Sequence, residues 1–310
     1  MKNNDNQTVS SGLSGRIERL SDSATAALYL SPTFILLILT ILFPMVYALF
    51  LSFSKMEFVQ GLPHFTFVGL DNYLELLKDP KIPAVLSQTL IFMVVRVVGT
   101  MVLAAGIALI IYHGVWGGEF FKKIFLIPWA LSNVVNGLMW KWMYNGNNGI
   151  INELFVSLGL LDQYKSWLAE ESTAMGAIIF ADIWKAVPFA ALMILAGLQT
   201  ISKDLYEAGQ IDGAGSFQRF IHISLPSLQP VLMVLFVVET MWALRVFDII
   251  WVLTQGGPLN STMVLNVYAY EQAFRHSNMG YGSALAFFIT IVTFVFTFLY
   301  VKTIGKNEHS

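Results

Sequence analysis

Apolar residues dominate six long stretches of the chain, and short polar segments separate them. The stretches run at about 28 to 53, 86 to 112, 121 to 144, 173 to 198, 230 to 254 and 281 to 303. Each is long enough to cross about 30 Å of hydrocarbon as a helix, which takes on the order of 20 residues. None shows the alternation of barrel strands, and backbone groups in lipid must be satisfied within their own segment. The pattern therefore predicts an all-α integral membrane protein with six transmembrane helices. The polar segment from Met1 to Ala27 is expected to be cytoplasmic, as is the tail after residue 303. Within the first of these, Leu13, Ile17 and Leu20 beside Arg16 and Arg19 predict a short amphipathic helix over Gly12 to Leu30.

Basic residues orient the bundle. With the amino terminus inside, inner segments carry nine Lys and Arg, outer segments six, and the spans three. The outer connections also hold nine of the 20 acidic residues, and both termini are predicted to be cytoplasmic. Composition agrees with lipid as the solvent, since 56% of the 310 residues are hydrophobic and 12% charged. A net charge of -2 gives no bulk electrostatic case for nucleic acid. The absence of cysteine removes disulfides, thiolate metal sites and thiol nucleophiles together.

The connection from Gln199 to Gln229 is more structured than a bare link between two spans. Ser202 reads as an N-cap with Asp204 in the first turn, Gly213 and Gly215 end that helix, and Phe217 to Ile223 can form another before Pro226. Two short helices joined at a bend form an elbow on the inner side.

Within the elbow the chain reads Glu207-Ala208-Gly209-Gln210-Ile211-Asp212-Gly213-Ala214, then after eight residues Ile223-Ser224-Leu225-Pro226. This resembles the E-A-A-x-x-D-G-A and I-x-L-P motif of the permease subunits of binding-protein-dependent ABC importers, with Gly209 in place of the second alanine. Phe67 to Tyr73 is similar to that family's F-V-G-L-x-N-Y signature. Thr254 to Pro258 is similar to T-x-G-G-P, and Tyr268 to Gly282 to the stretch leading into the last span. The likeness covers about residues 28 to 303 and points to the carbohydrate-uptake class.

The resemblance implies a type I permease fold in which the segment carrying Glu207, Ala208, Gly209, Asp212, Gly213 and Ala214 is a coupling helix seated on an ATPase. It implies a second homologous permease, two ATPase subunits and an extracytoplasmic solute-binding protein as partners, with ATP and Mg on the ATPase and no cofactor here. It also implies a bacterial inner-membrane location and no catalysis by the chain itself. No G-x-x-x-x-G-K-[ST] occurs, so the motor is expected on another chain. The alternative for Glu207 and Asp212 is that they are acids of a solvated elbow.

An ionisable group at mid-span costs about 3 kcal/mol or more and needs a partner or a water-filled cavity. Such groups are Arg96, Asp182, Lys185, Glu239, Arg245 and Asp248. Asp182, Lys185 and Phe189 share one helical face, as do Glu239, Trp242 and Val246. Maltose-type permeases place sugar-contacting residues at the positions of Asp182, Ile183, Lys185, Ala186 and Phe189, and of Glu239, Trp242, Ala243 and Val246. The resemblance thus implies a substrate pathway there for a sugar-like solute. The competing reading is that Asp182, Lys185 and Glu239 form an ion cluster holding two helices together. Arg245 and Asp248 read as an intrahelical pair, Arg96 has no assignable partner, and Trp129, Trp140, Trp142 and Trp251 read as interfacial belt residues. Pro188 is a candidate kink.

Two other classes were weighed. An ion-driven carrier would use Asp182 and Glu239 as proton or sodium sites, but no inverted repeat is visible. An intramembrane enzyme lacks H-E-x-x-H, G-x-S-x-G and any cysteine.

Overall fold

The computed structural model describes residues 22–59, 62–114 and 124–304. Of the expected amphipathic segment, Gly12 to Ser21 lie outside these residues, as does the tail beyond 304, and Asp22 to Leu30 belong to the first long helix.

Five helices are long and apolar enough to cross a membrane: Ala26–Ser52, Ile82–Tyr112, Glu171–Gln199, Ser216–Leu244 and Met279–Phe298. Helix α1 runs from Asp22–Leu37 through a π turn at Ile38–Leu42 into Phe43–Ser52. A β-hairpin follows, β1 (Ser54–Val59) pairing antiparallel with β2 (Leu62–Phe67). Among the described residues these are the sole strands in an otherwise helical chain. Then come α2 (Asp71–Lys78) and α3 (Ile82–Tyr112). The third predicted span appears as α4 (Ile127–Ala130) and α5 (Asn133–Met143), broken at Leu131 and Ser132, and its first residues are not described. After α6 (Ile150–Ser157), helix α7 (Glu171–Gln199) passes through Pro188 without interruption.

The elbow comprises α8 (Lys203–Ile211) and α9 (Ser216–Arg219), and a π turn at Phe220–Ser224 leads into α10 (Leu225–Leu244). The fifth predicted span does not continue to 254. It stops at Leu244 and resumes as α11 (Asp248–Leu253). Helix α12 (Leu265–Tyr270) and α13 (Met279–Ile304) complete the chain.

Helix α7 is the axis of the bundle, with 61% of its most apolar window buried against 6% for α1. Small residues make this possible: Ala174, Ala181, Ala190 and Ala191 are buried at its contacts, and neighbouring backbones come close. Gly99 on α3 is required by the same approach, since a Cβ there would sit 2.6 Å from Ile183 Cδ1. Polar side chains bind the interrupted elements to this axis. Asn136 Nδ2 donates to the Ala181 carbonyl at 3.2 Å and the Tyr144 hydroxyl to the Ala177 carbonyl at 3.0 Å.

The three loop signatures act as clasps. Asn72 Nδ2 donates to the Ser52 and Ser54 carbonyls at 2.9 and 3.0 Å, and the Tyr73 hydroxyl to Ser52 Oγ at 2.8 Å, closing the C-terminal end of α1. Thr262 Oγ1 donates to the Gly257 carbonyl at 2.7 Å across the Thr254–Pro258 turn. Tyr268 and Tyr281 donate their hydroxyls to Asp79 Oδ2 at 2.5 and 2.7 Å, joining the start of α3 to α12 and α13. Burial opposes ionisation of the Asp79 carboxyl, but these two hydroxyls, the Lys81 amide and the Lys81 charge outweigh it and set its pKa below the ordinary 3.8. Burial and the neighbouring Asp79 carboxylate push the Tyr268 hydroxyl up in turn.

Candidate functional site: a charged cavity and an exposed elbow

Both interrupted helices break beside one cavity of about 320 Å³. Asp182, Lys185 and Ala186 of α7 form one wall, and Trp242 with Arg245–Ile249 forms the other. Trp129 and Asn133 come from either side of the α4–α5 break. Irregular backbone at membrane depth is tolerated where it lines a cavity or is buried in protein, because the freed groups need partners. Here Asn266 supplies them, its Nδ2 donating to the carbonyls of Leu244 and Val246 at 2.9 and 3.2 Å. At the other break, Ser132 caps α5 by accepting from the Val135 amide at 3.3 Å.

Beneath the cavity lies an ion triad. Arg96 on α3 donates Nε to Asp182 Oδ2 at 2.8 Å and Nη1 to both Glu239 Oε2 and, at 2.9 Å, the Glu239 carbonyl. Glu239 is fully buried at 0% exposure, and its Oε1 meets no donor among the described residues. Arg96 itself is buried, while Asp182 keeps partial access to the cavity. One guanidinium therefore holds α3, α7 and α10 together, as its planar fork of five donors allows.

The sequence-derived pathway residues divide accordingly. Asp182, Lys185, Trp242 and Val246 line the cavity. Phe189 stands between Trp129 and Trp242, with ring centroids at 5.3 and 5.6 Å. Glu239 does not face the cavity but sits behind Arg96, so the ion-cluster reading holds for Asp182 and Glu239. Among the described residues, Lys185 makes no hydrogen bond or ion pair at contact distance. Both carboxylates that an ion-coupled carrier would use are engaged by Arg96.

Three expectations are corrected. Arg245 and Asp248 are not an intrahelical pair, because the helix ends between them, and Asp248 Oδ2 instead accepts from Asn133 Nδ2 at 3.1 Å. Trp129 is not a belt residue, since it lines the cavity and stacks on Phe189 at an interplanar angle of 13°. Trp140 is buried among Tyr144, Phe180 and Trp184. Trp251 packs under the Arg275 guanidinium, 4.7 Å from its ring centre. Of the four, Trp142 alone is strongly exposed.

On the opposite side of the bundle, the elbow is built as its residues dictate. Ser202 Oγ accepts from the Asp204 amide at 3.2 Å, starting α8. Gly213 takes φ +79°, a left-handed conformation suited to glycine, and the Ala214 amide closes on the Gly209 carbonyl at 2.8 Å. The elbow folds back on itself through Tyr206 and Ser224, whose hydroxyls lie 2.8 Å apart. Glu207, Ala208, Asp212 and Gly213 are exposed, with Ile211 and Phe217 beside them, while Gly209 and Ala214 are half-buried. Gly209 packs against Ile223 and Arg219.

A helical bundle of membrane-spanning length, with two interrupted helices opening a polar, aromatic-lined cavity inside it, defines a membrane transport protein. The chain belongs to the family described as the binding-protein-dependent transport system inner membrane component, whose model matches residues 101–302. It is a permease subunit of the ABC importer class that handles sugars, a transport protein and not an enzyme. The sulfoquinovosyl glycerol transport system permease protein SmoG of Agrobacterium fabrum is 35% identical over 292 residues, 93% of each chain. The trehalose/maltose transport system permease protein MalF of Thermococcus litoralis is 39% identical over 244 residues, 79% of this chain and 82% of that one. The fold matches a crystal structure of a bacterial ABC transporter that imports the acidic polysaccharide alginate. The TM-score there is 0.77 at 22% identity, covering 95% of this chain and 98% of the other.

Proposed function

We propose that this chain forms half of the translocation pathway for a carbohydrate or related polar solute, handed over by an extracytoplasmic binding protein. A second, homologous permease supplies the other half, and two ATPase copies drive the cycle with ATP and Mg. The observation that carries this reading is the cavity at the two helix breaks. It combines aromatic faces, Trp129 and Trp242, with charged groups, Asp182, Lys185 and Arg245, inside an otherwise apolar bundle. Sugars are held in this way, by ring stacking with polar groups around them. Phe189 buttresses the two tryptophans, Val246 adds wall, and Arg96, backed by Glu239, forms the floor.

The α8 helix is the coupling element in this reading. Ala208, Gly209, Gly213 and Ala214 let a partner groove approach closely, and exposed Glu207 and Asp212 offer charge-assisted contacts to its basic groups. The α4–α5 pair, with the residues before it, would complete a sixth crossing, which puts both termini in the cytoplasm. The chain resides in the inner membrane as a multi-pass subunit.

The test is ATP hydrolysis by the purified assembly after Glu207→Lys. Stimulation by the binding protein should be lost while the assembly remains intact. Unchanged stimulation would overturn the coupling assignment.

A further inference from the structure

The charges around the cavity are unequally occupied. Asp182 is bound to Arg96 and Asp248 to Asn133. Glu239 is sealed behind the triad. What the cavity presents with no contact partner among the described residues is two cations, Lys185 from α7 and Arg245 from the α10 end. The six ionisable groups sum to zero, so this is not a site of large net charge; it is one in which every carboxylate is engaged and two cations are not. Lys185 is half-buried within a largely apolar bundle, and a cation held there without a contact partner costs free energy, which an incoming anion would offset.

Resting on the pathway reading above, we propose that the cavity selects a saccharide carrying an anionic group, a carboxylate or a sulfonate. Lys185 and Arg245 receive that group while Trp129 and Trp242 take the sugar ring. Arg245 provides the planar fork suited to a carboxylate or sulfonate, and Lys185 a compact point charge. Both lie within one cavity of about 320 Å³, a size that holds one sugar residue and its substituent at a time.

The experiment uses the complete transporter without its binding protein, so that the cavity's own preference is read. Intrinsic tryptophan fluorescence is titrated with methyl β-D-glucuronide and with methyl β-D-glucoside, which differ by one carboxylate, at matched ionic strength. The glucuronide should bind at least tenfold more tightly. Lys185→Met with Arg245→Met should erase that ratio, and Lys185→Arg should retain it. Equal affinity of the two sugars, a ratio that survives the double variant, or binding by neither would overturn the proposal. The pathway reading stands or falls separately: Trp242→Ala should abolish uptake with its binding protein present, and normal uptake would remove it whatever the ratio.

Discussion

Replacing Arg96 by leucine should be the most damaging single change in the bundle. The guanidinium touches Asp182 and Glu239 together, and Glu239 has no exposure through which to recover water. Without Arg96, Asp182 and Glu239 lose the cation that bridges them. The two like charges then repel each other, and the desolvation of Glu239 is left uncompensated. Breaking a buried ion pair from one side costs about 3–5 kcal/mol by the same logic. At about 2 °C per kcal/mol for a chain of this size, Arg96→Leu should lower the melting temperature of the solubilised complex by about 6–10 °C. Adding Glu239→Leu removes the orphaned charge and should recover more than half of that loss, because a well-packed apolar pair replaces an ion pair at little cost. Melting followed by scanning fluorimetry gives both numbers. An unchanged melting temperature in the single variant, or a double variant no more stable than it, would refute the triad as the tie between α3, α7 and α10.

Two further outcomes follow from local geometry. Gly209→Ala places a Cβ 3.2 Å from Ile223 Cδ1, a side-chain end that can yield by tenths of an ångström. The helix gains up to about 1 kcal/mol of propensity, so melting temperature should hold or rise and ATPase stimulation persist; a clear loss of either would show that the elbow admits nothing larger than glycine. Asp79 has a folded pKa below 3.8, so its contribution is fully present above that value and fades as pH falls through the lower folded one. Asp79→Asn should therefore melt earlier than wild type at neutral pH and converge with it in acid, and a difference independent of pH would count against the Tyr268–Asp79–Tyr281 clasp.

Spans one, two, four and six could be read from the chain because each is an unbroken apolar run, whose backbone has no alternative to helix in lipid. The breaks in the third and fifth could not. Leu131-Ser132 and Arg245-Val246-Phe247 look no less helical in sequence than their surroundings. They open because Asn266 and Ser132 satisfy the backbone groups set free, and Asn266 lies 20 residues or more from the carbonyls it serves. The elbow was legible down to its cap and its glycine turn, since those signals are local. The partner of Arg96 was not, because Asp182 and Glu239 are 86 and 143 residues away and only packing brings them together. Trp129 was misread for a related reason. A tryptophan near a span end is the ordinary mark of an interface, and only the break in its helix turns it onto Phe189.

The Arg96 triad also bears on movement. Helices α7 and α10 are the two arms that enter and leave the elbow, so they are joined at their elbow ends by α8 and α9. Arg96 pins the same two arms again, halfway up. A frame fastened at two heights cannot scissor; it tilts or slides as one piece, with α3 carried along. A shove delivered at the elbow thus arrives at Asp182 and Trp242 with little lost to flexing in between.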